Sequence, residues 1–228
     1  AFCECKTVEK VYITDVEKWL RTSFSNSNSN PLVYAKELYL NGEKLDGIKL
    51  EKAGSVQISS YAFYCFDGIE FLDIKANSIS INGNAFYKCT ALSSVNMSDA
   101  EGSIGSYAFF GCSALKDLRI GNGISSIGSS AFKGCGTLES VIVPVSVTVI
   151  NSEAFADCKN LKNIYILNAD CIAADSAENT VYKNAVIHSH AGHNVEAYAD
   201  LFGFDFNPIH IGVGEYFNSA KCTEPGER

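Results

Sequence analysis

Cys89, Cys112, Cys135 and Cys158 stand 23 residues apart, and much of the chain keeps step with them. Aligning on that step stacks Tyr61-Ala62-Phe63, Asn84-Ala85-Phe86, Tyr107-Ala108-Phe109, Ser130-Ala131-Phe132 and Glu153-Ala154-Phe155. The cysteine follows the Ala by four residues in four copies. In the first copy Phe66 takes that slot, and Cys65 stands one place early. Further apolar columns are Ile69, Leu92, Leu115, Leu138, Leu161, then Leu72, Val95, Leu118, Val141, Ile164, then Ile74, Met97, Ile120, Val143, Ile166. Four residues before each Ala stand Ile58, Ile81, Ile104, Ile127 and Ile150. A fixed step held this long without slippage is the signature of a solenoid, because one such unit cannot bury its own apolar face and needs neighbours.

The chemistry of one turn predicts its shape. Ala, Phe, Cys and Leu at these offsets share one face of a short helical turn. Two apolar residues separated by one variable position alternate as a half-buried strand does. Gly, Asn and Ser between them, most clearly Gly121-Asn122-Gly123, supply corners. Strands stacked at about 4.8 Å spread five turns over roughly 24 Å, with the Phe residues as an internal spine and the cysteines beside it. The expected fold is a right-handed, β-rich repeat solenoid of about five turns plus a degenerate first one. Short helical or 3₁₀ turns and helical N- and C-terminal caps complete it.

The pattern I-x-x-x-A-F-x-x-C-x-x-L-x-x-(I/V/L)-x-I resembles the BspA-like leucine-rich repeat family, strongly over residues 34–168. It extends weakly to the ends, where Asn30-Pro31-Leu32 and Leu38 to Glu43 resemble a lead-in. Such proteins lie on the surfaces of bacteria and parasitic protists and are described as adhesins and antigens. The resemblance therefore implies a leucine-rich-repeat fold, an extracellular location and binding of host or partner proteins.

A solenoid must cover its end turns. Asp15 to Phe24 reads as an amphipathic helix with Val16, Trp19, Leu20 and Phe24 on one face and Asp15 as N-cap. The polar run Ser25 to Asn30 then ends at Pro31. Asn194 is placed to cap a helix from Val195 to Phe202 that Gly203 stops, with Phe204 and Phe206 alternating like a last strand. The expected divisions are 1–54 (N-terminal cap and degenerate repeat), 55–168 (array), 169–207 (C-terminal cap) and 208–228. That last stretch reads as a tail or the start of a cysteine-rich module, and the second reading would make the chain a fragment of a longer protein.

Composition excludes several classes. With 18 Lys+Arg against 26 Asp+Glu the net charge is −8, opposite to what phosphate or an anionic membrane attracts. No apolar run reaches the roughly 18 residues of a spanning helix. The opening Ala1-Phe2-Cys3 lacks a basic or apolar leader, so a signal is either missing or removed.

Candidate chemistry is sparse. The cysteine column reads as buried free thiols, since side chains on parallel turns point the same way and bridge poorly. Bridges are expected instead among Cys3, Cys5, Cys171 and Cys222, with connectivity open. His188, His190 and His193 form an H-x-H element with a third histidine that could chelate zinc, or a loop of exposed histidines. No phosphate loop, catalytic cysteine–histidine pair or carboxylate pair stands out, and no cofactor is implied. Asn96-Met97-Ser98 is a glycosylation sequon, with Asn96 on a strand pointing away from the core.

Function is expected in the columns between the apolar ones. The sheet surface they form drifts from charged (Asp73, Lys75, Asp117, Arg119) to apolar (Ile142, Pro144, Val145, Tyr165, Leu167), with Phe71 and Asn96 in the same columns as further candidates. A sheet surface of that character suits protein recognition, or is an ordinary solvated face. Three readings follow. The first is a non-enzymatic extracellular module, an adhesin or antigen, binding a matrix or cell-surface protein through its strand face. The second is a rigid spacer in a larger surface protein, and the third is a zinc-binding domain built on His188–His193.

Overall fold

The computed structural model describes residues 5–97, 100–174 and 180–209, apart from the side chains of residues 52 and 53. The chain opens with β1 (Lys10–Ile13), α1 (Val16–Arg21), two 3₁₀ turns (Ser27–Ser29, Pro31–Val33), β2 (Glu37–Leu40) and β3 (Glu43–Lys44). Two long strands follow, β4 (Gly47–Ile58) and β5 (Phe71–Ile81). Each later coil carries two short strands: β6 (Ser94–Asn96) and β7 (Glu101–Ile104), β8 (Asp117–Arg119) and β9 (Gly123–Ile127). The next pairs are β10 (Ser140–Val143) and β11 (Val149–Ile150), then β12 (Asn163–Ile166) and β13 (Ile172–Ala173). β14 (Val186–Ser189), α2 (Asn194–Phe202) and β15 (Phe206–Pro208) end the described chain.

Strands pair in parallel from coil to coil in the repeat register, so Leu72 faces Val95 and Val95 faces Leu118. The isoleucines ahead of each Ala belong to a second strand stack, with Ile58, Ile81, Ile104, Ile127 and the following Ile150 in register. One half of β5 pairs with β6 and the other with β7, which joins the two stacks into one curled sheet. Past residue 168 the first stack continues, Ile164 pairing with Ile187 and Ile187 with Phe206.

The Ala-Phe corners are not the helical turns expected of them. Among the described residues no helix lies between Tyr34 and His193. The residue before each Ala (Tyr61, Asn84, Tyr107, Ser130, Glu153) has φ between 54° and 64°. Three residues after the Ala, Cys65, Lys88, Gly111, Gly134 and Asp157 are left-handed again. Each such position costs a non-glycine residue about 1–2 kcal/mol and ends any helix. The offset is a backbone ladder between coils: Phe63 N–H donates to Ala85 O and Cys65 N–H to Tyr87 O, at 2.8 and 2.7 Å, with equivalent bonds in the following coils. Chained β-turns replace the helix because they aim these donors along the solenoid axis.

Inside, Phe63, Phe86, Phe109, Phe132 and Phe155 stack with centroids 5.2 Å apart, and all five are fully buried. Beside them each ladder thiol donates to a phenylalanine carbonyl of the previous coil: Cys89 to Phe63 (2.9 Å), Cys112 to Phe86 (3.1 Å), Cys135 to Phe109 (3.3 Å) and Cys158 to Phe132 (3.2 Å). Close coil contact has one strict demand. Gly102 sits at φ +138°, and a Cβ there would meet Ile79 O at 1.9 Å, so only glycine fits.

Cys171 departs from the expectation of a bridge. Its N–H bonds to Asn168 O as those of Ala100, Ile124 and Val147 bond to Met97, Gly121 and Pro144, so it fills that buried apolar column. Cys5 and Cys171 are free thiols. Cys3 and Cys222 lie outside the described residues.

The N-terminal segment closes the array by hydrogen bonding. Within the array a phenylalanine N–H satisfies each alanine carbonyl of the next coil, which leaves Ala62 O with no coil before it. Trp19 Nε1 (3.2 Å) and Asn30 Nδ2 (2.9 Å) donate to it instead, and Asn30 Nδ2 also reaches Tyr61 O at 2.6 Å. Asn30 is itself fully buried, its Oδ1 accepting from Leu32 N–H. Asn30→Ala is therefore expected to lower stability by about 2–3 kcal/mol through unpaired buried groups, read as a shifted denaturant midpoint with unchanged slope. In α1 the Asp15 carboxylate accepts from Lys18 N–H, which holds its pKa below the usual value.

At the other end Phe155 N–H bonds to Thr180 O, and the Tyr198 hydroxyl of α2 accepts from Thr180 N–H. The α2 start is one residue earlier than expected. His193 occupies the N-cap without a side-chain capping bond, because Asn194, already helical, donates to Asp170 O. Gly203 ends the helix at φ 70°. No helix among the described residues is long and apolar enough to cross a membrane.

Candidate functional site

The first strand stack turns alternate side chains into the core and out to solvent, so the outward set carries whatever the fold does not need. Over β5, β6 and β8 this set lines a hollow of about 430 Å³, formed by Phe71, Asp73, Ser94, Asn96, Asp117 and Arg119 with Leu72 and Val95 as its floor. Three coils contribute, and the parallel register sets the rows: Phe71, Ser94, Asp117 in one and Asp73, Asn96, Arg119 in the other. Asn96 Nδ2 donates to Asp73 Oδ1 at 2.8 Å, which orients both for the hollow. Phe71, 36% exposed, lays its ring over Gly47, where a Cβ would meet it at 2.1 Å.

Lys75 stands at the edge of this group. It pairs with Glu51 at 3.2 Å, as Lys49 does, and the two ammonium groups hold the Glu51 carboxyl below the usual range. Asn96 is half-buried beside Asp73, so a glycan on its amide would occupy the hollow itself. Ser98, the other half of the sequon, lies outside the described residues.

The apolar end is not continuous with the charged end. Among the described residues no backbone pairing joins β8 to β10, so Ile142 and Tyr165 belong to a second sheet, β10-β12-β14-β15, with Leu167 just past the end of β12. Leu167 N–H donates to Val143 O at 3.0 Å. One coil earlier the equivalent position is Pro144, which has no N–H to offer. Pro144 is buried rather than part of the face, while Val145 is 67% exposed.

Tyr165 stacks on His188 at 4.3 Å, and His188 Nε2 meets Asn163 Oδ1 at 2.9 Å. Partial burial pushes the His188 pKa down. His193 instead pairs with Asp170 at 3.0 Å. Among the described residues no three metal-binding side chains converge, so His188, His190 and His193 do not form a centre. The buried thiols are poor nucleophiles: burial pushes Cys112 and Cys158 up to about 12 and Cys171 to about 11, with Cys89 and Cys135 also well above the usual value.

One surface feature escaped the reading of columns. Tyr64, Tyr87 and Phe110, two residues after each Ala, form an outer ladder with rings 4.7 and 4.8 Å apart. Its signal was in the sequence, three aromatics at the repeat step, but the column loses its aromatics at Lys133 and Ala156.

The fold has relatives. A leucine-rich repeat protein from Bacteroides ovatus matches with a TM-score of 0.60 and 23% identity over 78% of this chain. The match covers 46% of that protein, so this chain spans less than half of its length. A looser likeness, TM-score 0.42 and 11% identity over 89% of this chain and 68% of the other, is to the pneumococcal vaccine antigen PcpA. No curated protein matches the sequence. The model of the BspA type leucine rich repeat region matches residues 56–177 in six copies. With more than half its length in those copies, the chain belongs to the BspA-type leucine-rich repeat family.

Proposed function

We propose that this chain is a non-enzymatic protein-recognition module of a cell-surface or secreted protein, an adhesin or antigen, binding its partner through the strand face. One observation carries the reading. Side chains from three successive coils converge on a single hollow, while the columns that make the fold are buried apart from the partly exposed Leu118. The hollow mixes an aromatic ring, a guanidinium and two carboxylates, a combination suited to a protein surface rather than to a phosphate or a lipid.

The test is capture from matrix and cell-surface extracts by the wild-type chain and by Arg119→Glu. Arg119 is exposed, so its reversal is expected to abolish capture and leave the melting temperature within about a degree or two. Equal capture by both proteins would move the site off the hollow. No capture by either would favour a rigid spacer, a role that the unbroken phenylalanine stack also suits.

A further inference from the structure

The first three coils carry aromatic rings in two outer columns where the fold does not require them. Tyr64, Tyr87 and Phe110 stack within 4° of parallel. In the column before the Ala, Tyr61 and Tyr107 tilt against the two ends of that ladder, 5.6 Å from Tyr64 and 5.8 Å from Phe110. Between them in sequence order of coils stands the shorter Asn84. In the fourth and fifth coils the same slots hold Ser130, Lys133, Glu153 and Ala156, yet those corners keep the left-handed backbone and the same spine. Rings are therefore not a condition of the turn. Tyr107 is 42% exposed and the other four are half-buried.

The spacing selects an occupant. Tyr61 and Tyr107 stand two coils apart, which the ladder sets at about 9.5 Å. A polyproline II helix advances about 3.1 Å per residue with three residues per turn, or about 9.3 Å per turn. A proline-rich segment lying along the solenoid axis thus brings every third residue over one ring of the pair, with the residues between passing above Asn84. Proline suits this on entropy as well, because its backbone is already restricted before binding. Lys88 is exposed with its ammonium 5.6 Å from the Tyr87 ring centre, so the strip carries a positive charge midway along its length.

We propose that this aromatic strip docks a proline-rich, acidic segment of a partner protein in the polyproline II conformation. Prolines three apart sit over Tyr61 and Tyr107, and a carboxylate between them faces Lys88. Aromatic-lined grooves recognise such segments through the same preformed geometry. The strip lies on the turn edge, apart from the strand-face hollow, so it stands or falls independently of that site.

The experiment is calorimetric titration with a decaproline peptide carrying one central glutamate. Its lysine counterpart and a linear cello-oligosaccharide serve as comparisons. The variants copy residues that other coils use in the same slots: Tyr61→Ser with Tyr107→Ser, after Ser130, and Lys88→Asp, after Asp157. Submillimolar binding of the glutamate peptide is expected, weakened by about tenfold or more in the double tyrosine variant at an unchanged melting temperature. Lys88→Asp is expected to reverse the preference between the glutamate and lysine peptides, an effect that high salt erases. If the tyrosine variant proved unfolded, this charge reversal alone would decide. No binding at millimolar peptide, equal affinity in the variants, or binding of the oligosaccharide without the peptide would each overturn the proposal.

Discussion

Between pH 8 and pH 10 the protein is expected to lose most of its stability. Cys89, Cys112, Cys135 and Cys158 are fully buried, and burial pushes Cys112 and Cys158 to about 12, with Cys89 and Cys135 also well above the usual value. A thiol in the unfolded chain titrates near 8.5. Below that value both states hold the proton, and the ladder contributes no pH dependence. Above it the unfolded chain has lost protons that the native state still binds, so stability falls as pH rises until the folded values are reached. Each thiol loses about 1.4 kcal/mol per pH unit once the pH passes the unfolded value, so the four together lose about 7–8 kcal/mol between pH 8 and pH 10, comparable with the roughly 5–15 kcal/mol that holds a domain together. Denaturant titrations at pH 7, 8, 9 and 10 read the slope directly. Buried Cys171, pushed up to about 11, adds to the same slope, so Cys112→Ala should lower stability at pH 7 yet flatten the alkaline slope by about a fifth. A level profile, or a slope unchanged in the variant, would show that the thiols ionise inside the fold.

Phe109→Ala is expected to cost about 3–5 kcal/mol. Phe109 is fully buried, and its ring lies between Phe86 and Phe132, 5.2 Å from each. Truncation therefore removes two stacking contacts and opens a cavity at the middle of the array, where coils on both sides depend on it. A solenoid is held by nearest-neighbour interfaces, so two are weakened at once. Urea unfolding followed by circular dichroism gives the loss. A cost under about 1 kcal/mol would mean that neighbouring coils collapse into the gap, and the spine would then be filler rather than the main support.

The period, the buried columns, the phenylalanine spine and the burial of the four ladder cysteines were all legible in the sequence. They follow from repetition: an apolar column that recurs at one step can be buried only by stacking. The corners were misread because offsets 0, 1, 4 and 7 look helical, while the left-handed positions around them hold Tyr, Asn, Ser, Glu, Cys, Lys and Asp as well as Gly. Nothing in those residue types announces positive φ. Only the backbone bonds between coils, made across 22 residues, stabilise it.

The candidate face shows the same division. Its outward residues could be named from their offsets, since a strand alternates by geometry alone. Its shape could not, because the hollow depends on Asn96 bonding to Asp73 and on Phe71 lying over Gly47, contacts between different coils. The seam between β8 and β10 was not visible either, because both strands carry the repeat pattern and whether they pair is decided between coils. Asn30, read as part of a lead-in, joins Trp19 as a donor that closes the first coil. Repetition within the chain thus determined which residues are buried and which face outward. Tertiary structure decided where the backbone turns, how the ends are sealed and which outward residues meet, since each of these depends on hydrogen bonds between coils that no single repeat contains.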